Sequence, residues 1–367
     1  MKVIGRLFLL LFVLSSTISQ GQNNITTHNK FEIFRGTNIA HWLSQSKGRG
    51  IERQEKFTEK HIAAIVEMGF DHIRLPIDEE QMWDENGNRH KDAFELMEKC
   101  IQWCATNNLR IIVDLHILRS HHFNEKEKPL WTNSKEQDKF FDLWRDLSKS
   151  LKKYPNNLVA YELMNEAVAD DHEQWNNLIA NAFSALRELE PKRTIVIGSN
   201  RWQSTETFDA LKVPENDKNI ILSFHFYSPF LLSHYGASWT DLKNYNGPVH
   251  YPGILVSQSE FESLPKNQKT VVKKYVDQNW NKKLILKKWI KPIQKAKKLG
   301  LPLYCGEFGI VADAISKDRL DWYKDMISLF EEKGIGYANW NYESDNFGLI
   351  DSTGKNEELI QIVTNKK

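Results

Sequence analysis

Cysteine is nearly absent from this chain: its 367 residues include only Cys100, Cys104 and Cys305. So few thiols, odd in number, give no disulfide framework, and their spacing fits no zinc-ligand pattern. Cys100 and Cys104 stand one helical turn apart and read as core residues. A surplus of charge is also missing, with 49 basic side chains against 48 acidic ones. No excess field is available to hold a polyanion, so nucleic acid is not an expected partner. Beyond the N-terminus no apolar run reaches the length of a membrane helix. There is no low-complexity linker, no appended module, and no internal repeat apart from the alternation described below.

The N-terminus is different in character. Lys2 and Arg6 precede an apolar stretch from Leu7 to Leu14, followed by Ser15, Ser16 and Ser19. This is the pattern of an export signal, with cleavage expected near Gly21 and a mature chain of residues 22–367. No cysteine lies nearby to suggest a lipid anchor, and the destination is the periplasm or the medium. Asn24-Ile25-Thr26 fits a glycosylation site, but it lies in the expected flexible mature terminus.

From there on, apolar strand-like runs alternate with helical patterns, the mark of repeated βα units on a parallel sheet. The expected strands are Glu32–Ile39, His72–Pro76, Arg110–His116, Leu158–Asn165, Thr194–Gly198, Ile220–Phe226, Leu303–Phe308 and Ile335–Trp340. Helices are expected over Glu59–Met68, Ala93–Asn107, Lys135–Lys153, His172–Leu189, Leu284–Leu299 and Lys317–Lys333. Weaker ones are expected over Ser204–Leu211 and Lys355–Val363. Eight such units make a single-domain α/β protein, a (β/α)8 TIM barrel. The stretch from Ser228 to about Asn281, after the sixth strand, is too long for an ordinary connection and is expected to be an elaborated loop over the active face.

Polar residues collect at the carboxyl ends of these strands: Arg74, His116, Asn165, Glu166, His225, Tyr227, Glu307 and Trp340. Singly, each has an ordinary explanation. Arg74 could pair with a surface carboxylate, the histidines could be structural, and Asn165 with Glu166 could cap a helix. Glu307, between Gly306 and Phe308 at the end of an apolar strand, resists such an account, because an ionisable group there must find specific partners. In a closed barrel these ends converge on one cup, which favours function for the set. Two carboxylates facing one pocket, Glu166 and Glu307, can divide acid and nucleophile duties between them, as hydrolysis of a glycosidic bond requires.

These residues carry a resemblance. Ile73-Arg74-Leu75-Pro76, Asp114-Leu115-His116, Leu163-Met164-Asn165-Glu166, His225-Phe226-Tyr227, Gly306-Glu307-Phe308 and Trp340, in that order, make the chain similar to glycoside hydrolase family five. The likeness runs from about Phe31 to Ile350. It implies that Glu166 is the acid/base and Glu307 the nucleophile of a retaining double displacement, with no metal or cofactor needed. Arg74 and Tyr227 match the side chains that hold the nucleophile ionised, so Arg74 is expected to lower its pKa, while burial and the neighbouring charge hold Glu166 higher. His116 and His225 match histidines lining the cleaved subsite, Asn165 the residue on the sugar 2-hydroxyl, and Trp340 the platform beneath the ring.

Tryptophan is frequent, with 12 residues. Trp42, Trp83, Trp131, Trp202 and Trp239 fall in loops of the expected active face, where aromatic faces would stack on sugar rings. Trp42 and Trp202 are the better subsite candidates; Trp103, Trp144, Trp175 and Trp322 lie in helical patterns and read as packing residues. Arg119, His121, His122 and Asn124 form either a site or a solvated loop, and His250-Tyr251 is equally open. The family resemblance implies a β-linked polysaccharide or oligosaccharide as partner. An endo-β-1,4-glucanase is the first expectation and a β-mannanase or related hemicellulase the second, with exo action possible if the long loop closes one end of the cleft. A metal-dependent barrel hydrolase and a silent glycan-binding protein stand as alternatives, and a monomer is expected.

Overall fold

The computed structural model describes residues 30–314 and 316–365. The expected export signal and the Asn24 motif lie outside the described residues. Eight parallel strands close into a barrel: β1 (Arg35–Asn38), β2 (His72–Asp78), β3 (Arg110–Ile117), β4 (Val159–Glu162), β5 (Ile195–Gly198), β6 (Ile220–Phe226), β7 (Leu303–Phe308) and β8 (Gly336–Asn339). Each pairs with its chain neighbours, and β8 returns to β1, so that Arg35 aligns with Tyr337 and Thr37 with Asn339. Among the described residues no helix is long and apolar enough to cross a membrane.

Side chains alternate across each strand, so one face fills the barrel and the other packs on helices. Ile112, Ala160, Val196, Ile221, Tyr304 and Ala338 form the inner floor, closed below by Phe31. Their neighbours Ile111, Val113, Ile195, Ile197 and Leu222 belong to the outer layer under the helices. His72 is wholly buried, and its ring takes the space beside Gly36, where an added Cβ would stand 2.2 Å from Nε2. Only glycine permits that approach. The His72 ring bonds Asp71 at 2.6 Å and the Tyr304 hydroxyl at 3.1 Å, while both Asp71 oxygens accept backbone N–H groups of Phe34 and Arg35. The floor is therefore a closed, hydrogen-bonded layer, and any pocket must open above it.

Four details depart from the sequence expectation. The fourth strand stops at Glu162 rather than Asn165, and the chain turns out of the barrel before Glu166. The helix expected over Ser204–Leu211 is a 3₁₀ segment, Thr205–Ala210. Lys291 and Lys295 reach over from the helix Ile290–Leu299 to bond its carbonyls at Glu206 and Phe208, so its backbone is satisfied without a longer helix. The helix expected over Leu284–Leu299 is divided into Lys282–Lys288 and Ile290–Leu299. Pro292, which lacks an N–H, falls in the first turn of the second piece, where that lack costs nothing. Buried Trp289 marks the break and stacks on Phe330, ring centres 4.9 Å apart. Finally, the segment after β6 carries its own short helices and a two-stranded antiparallel sheet, Gly253–Ile254 with Asn279–Trp280. Its Tyr245, Tyr251 and Trp280 are buried packing residues.

Candidate active site

Above the floor, the strand ends deliver their polar side chains to one cup. Arg74 is its hub and is wholly buried. Its Nε donates to Glu162 Oε2 at 2.6 Å, and Nη1 donates to Glu307 Oε1 at 2.7 Å and Asn38 Oδ1 at 2.9 Å. Nη2 donates to Asn165 Oδ1 at 2.9 Å and lies 3.0 Å from Asp114 Oδ2. The guanidinium fork is thus spent on five acceptor residues from four strands, which a lysine's single point charge could not serve. Burial lifts Asp114 to about 7 against the pull of Arg74, and lifts Glu162 in the same way.

Glu307 reaches the cup through a bulge. Cys305 aligns with Phe224, but His225 aligns with Glu307, so Gly306 is the extra residue in β7. Strict alternation would send Glu307 outward toward the helices; the bulge turns it inward beside Gly306. A Cβ on Gly306 would stand 3.0 Å from Ser223 Oγ and 3.1 Å from His225 Nε2, which explains the small residue there. Glu307 Oε2 accepts from the Tyr227 hydroxyl at 3.0 Å. Glu166 sits just past β4 in the left-handed region, φ +40, and its Oε1 lies 2.9 Å from His225 Nδ1.

Glu166 and Glu307 each bring an oxygen within 4.8 Å of the other. Two full charges that close repel by roughly 3 kcal/mol at an effective dielectric near 20, so one of them keeps its proton. Burial holds Glu166 well above the ordinary carboxyl value, and the Glu307 charge adds to the rise. Glu307 moves up less, because the Arg74 cation works against its burial. The sequence expectation of a lowered Glu307 was therefore wrong in net direction, since burial outweighs Arg74. Of the two carboxyls, Glu166 is raised the further.

His116 is buried and held uncharged, its pKa lowered to about 3 by desolvation. Its Nδ1 bonds Asp114 Oδ2 at 2.6 Å, and amide groups of Gln45 and Asn165 approach Nε2 at 3.2 and 3.4 Å. With Nδ1 donating, Nε2 is left as an acceptor. The Trp340 indole lies parallel to this imidazole, centres 5.5 Å apart and planes 8° apart. His225 is likewise kept uncharged by burial.

The structure brings Arg74, His116, Asn165, Glu166, His225, Tyr227, Glu307 and Trp340 together. Trp42 does not join them. It is 1% exposed, its Nε1 donates to the Arg53 carbonyl at 2.8 Å, and it packs on Phe57, so it is a core residue rather than a subsite. Trp83 and Trp131 are also buried, whereas Trp202 and Trp239 are 45% and 49% exposed. His121 accepts the Val168 backbone N–H, and Arg119 pairs with Glu79, so both tie loops together. Glu162, Asn38 and Gln45 were not singled out from the sequence. Glu162 gave a usable signal, an acid inside an apolar strand that must have a cationic partner. Gln45, held at φ +51 by Asp78 Oδ2 accepting its N–H at 2.7 Å, gave none.

The chain is similar to known proteins over most of its length. Endoglucanase C of Acetivibrio thermocellus is 35% identical over 342 residues, covering 90% of this chain and 98% of the relative. Cellodextrinase A of Ruminococcus flavefaciens is 28% identical over 307 residues, covering 83% of each chain. A solved structure described as an endoglucanase superposes with a TM-score of 0.72 at 25% identity, covering 91% of this chain and 97% of that one. The cellulase profile matches residues 28–346. This chain therefore belongs to the cellulase family, glycosyl hydrolase family 5, and is a glycoside hydrolase.

Proposed function

We propose that this protein is an exported, retaining endo-β-1,4-glucanase that acts as a monomer by double displacement. In this reading the Glu166 carboxyl protonates the glycosidic oxygen as the Glu307 carboxylate bonds to the anomeric carbon. The aglycone leaves, and the now charged Glu166 takes a proton from water, which attacks the same carbon and releases Glu307. Arg74 and Tyr227 stabilise and orient the Glu307 carboxylate, and Asn165, His116 and His225 bind the sugar at the broken bond. Trp340 lies under that sugar, and Trp202 takes a ring beyond it. The observation that carries the reading is the unequal pair: oxygens within 4.8 Å of each other, with Arg74 and Tyr227 both bonded to Glu307. Carboxyls about 5 Å apart suit retention rather than inversion. The relatives' names support glucan as substrate, and the basic, then apolar N-terminus supports export.

The test is hydrolysis of soluble β-1,4-glucan, mannan, xylan and xyloglucan, with an NMR time course on a short cello-oligosaccharide. New reducing ends on the glucan and the β-anomer appearing first are expected. The α-anomer first, or binding without turnover on every polymer, would sink the proposal.

A metal-dependent reading draws on one observation, that Glu166, His225 and Glu307 place ligand atoms within 4.8 Å of one another. The Arg74 cation at 2.7 Å from Glu307 disfavours a second cation there. Activity abolished by a chelator and restored by zinc would reverse this preference.

A further inference from the structure

The loop after β5 has a backbone unlike its surroundings. Arg201, Trp202 and Gln203 are all left-handed, with φ of +61, +59 and +51, and none is glycine. Such conformations persist only where neighbouring structure over-determines them, and they gather at functional sites. Here the restraints are explicit. Asn200 bonds both the N–H and the carbonyl of Ala169, and the Trp202 N–H donates to the Ala167 carbonyl at 3.2 Å, one residue beyond Glu166. The indole that this turn presents is 45% exposed.

Its far end is anchored inside the barrel. Gln203 is 1% exposed and lies over Gly198, the last residue of β5. A Cβ on Gly198 would stand 2.4 Å from the Gln203 side chain. There Gln203 Nε2 donates to Glu162 Oε1 at 2.8 Å, and Glu162 in turn accepts from Arg74, which holds Glu307. A chain of hydrogen bonds thus runs from beneath the two carboxylates to the turn that carries Trp202.

We propose that Gln203 is a positioning residue that fixes the Trp202 indole on the leaving-group side of the cleft, so that use of a sugar beyond the broken bond depends on this buried amide. The inference rests on the reading of Trp202 as a sugar platform given above. The leaving-group side follows from contact: the turn is bonded to the segment that carries Glu166, whose proton goes to the leaving oxygen. Gly198 belongs to the same device, because only a residue without Cβ leaves room for Gln203.

The experiment compares kcat/KM for cellotetraose with kcat/KM for methanol release from methyl β-cellobioside, whose leaving group needs the Glu166 proton but carries no sugar. The ratio cancels any loss that reaches Glu307 through Glu162 and Arg74, or Glu166 through Ala167, so a merely structural weakening leaves it unmoved. Trp202→Ala is expected to lower the ratio about three- to tenfold, the size of one lost stacking contact. Gln203→Ala should lower it equally, and the double variant no further. Gly198→Ala, which displaces the amide without removing it, should match Gln203→Ala. If Trp202→Ala leaves the ratio unchanged, the platform reading fails and this inference with it. If Trp202→Ala lowers the ratio and Gln203→Ala does not, the inference about Gln203 alone is overturned.

Discussion

The two carboxylates of the cup share one solvent-poor space but not one environment. Glu307 lies on a barrel strand, turned inward by a bulge, and accepts from a guanidinium and a phenol. Glu166 lies just beyond its strand, on left-handed backbone, and meets an uncharged imidazole. Burial penalises the charge on both, and only Glu307 receives donors strong enough to offset much of that penalty. The difference shows that chemically identical side chains gain distinct acid strengths from what faces them rather than from how deeply they lie.

The largest expected effect separates the two directly. Glu307→Gln should reduce kcat/KM to background with every substrate, because in the proposed double displacement no other group supplies the attacking oxygen. Glu166→Gln should cost about 10²–10⁴ on cello-oligosaccharides, and much less on aryl glycosides whose leaving groups need no proton. Measuring both variants across a series of phenol leaving groups would expose the asymmetry. Equal sensitivity in the two would break it.

Arg74→Met comes next. It removes the cation that Glu307, Glu162 and Asp114 share, and the loss of a buried partner should destabilise the fold by about 3–5 kcal/mol as well as remove turnover. Denaturant melts with activity assays would show both losses together. Tyr227→Phe removes only one donor from Glu307. A hydrogen bond to a charged group corresponds to about ten- to a hundredfold in kcat/KM. Because the charged form of Glu307 loses a donor, its pKa rises, so the acidic limb of the kcat/KM profile should move to higher pH. A shift of that limb to lower pH would contradict the assigned contact.

Much of this is legible in the sequence, for a physical reason. Strands buried on both faces read as continuous apolar runs, so polar residues that end them stand out, and closure of the barrel gathers them at one mouth. Arg74, Glu166 and Glu307 were accessible in that way. Trp42 was not, because sequence position cannot say whether an indole after a strand turns toward the cleft or, as here, toward Phe57 and the Arg53 carbonyl. The bulge at Gly306 and the left-handed turn at Arg201–Gln203 escaped for a similar reason. Both depend on contacts across the barrel rather than on local propensity, and Gly198 acquires meaning only when Gln203 is seen above it.

The smallest effect sharpens the role of burial alone. Asp78, at the end of β2, is 2% exposed, and burial lifts its carboxyl from 3.8 to about 7, against the hydrogen bond from the Gln45 N–H. It is a carboxyl like Glu166, shifted chiefly by desolvation, yet outside the Glu166–Glu307 pair. Between those pH values the folded chain keeps a proton that the unfolded chain has released, so folding stability falls as pH rises through the window. Asp78→Asn keeps an acceptor for the Gln45 N–H and carries no charge. Its melting temperature should therefore exceed that of the parent by a few degrees at pH 8 and by less at pH 5. The residual pH slope is shared by the other buried carboxyls that burial raises, Asp114, Glu162, Glu166 and Glu307. A variant less stable than the parent at pH 8 would show that Asp78 is a stabilised anion, and that burial alone does not set carboxyl acidity at this end of the barrel.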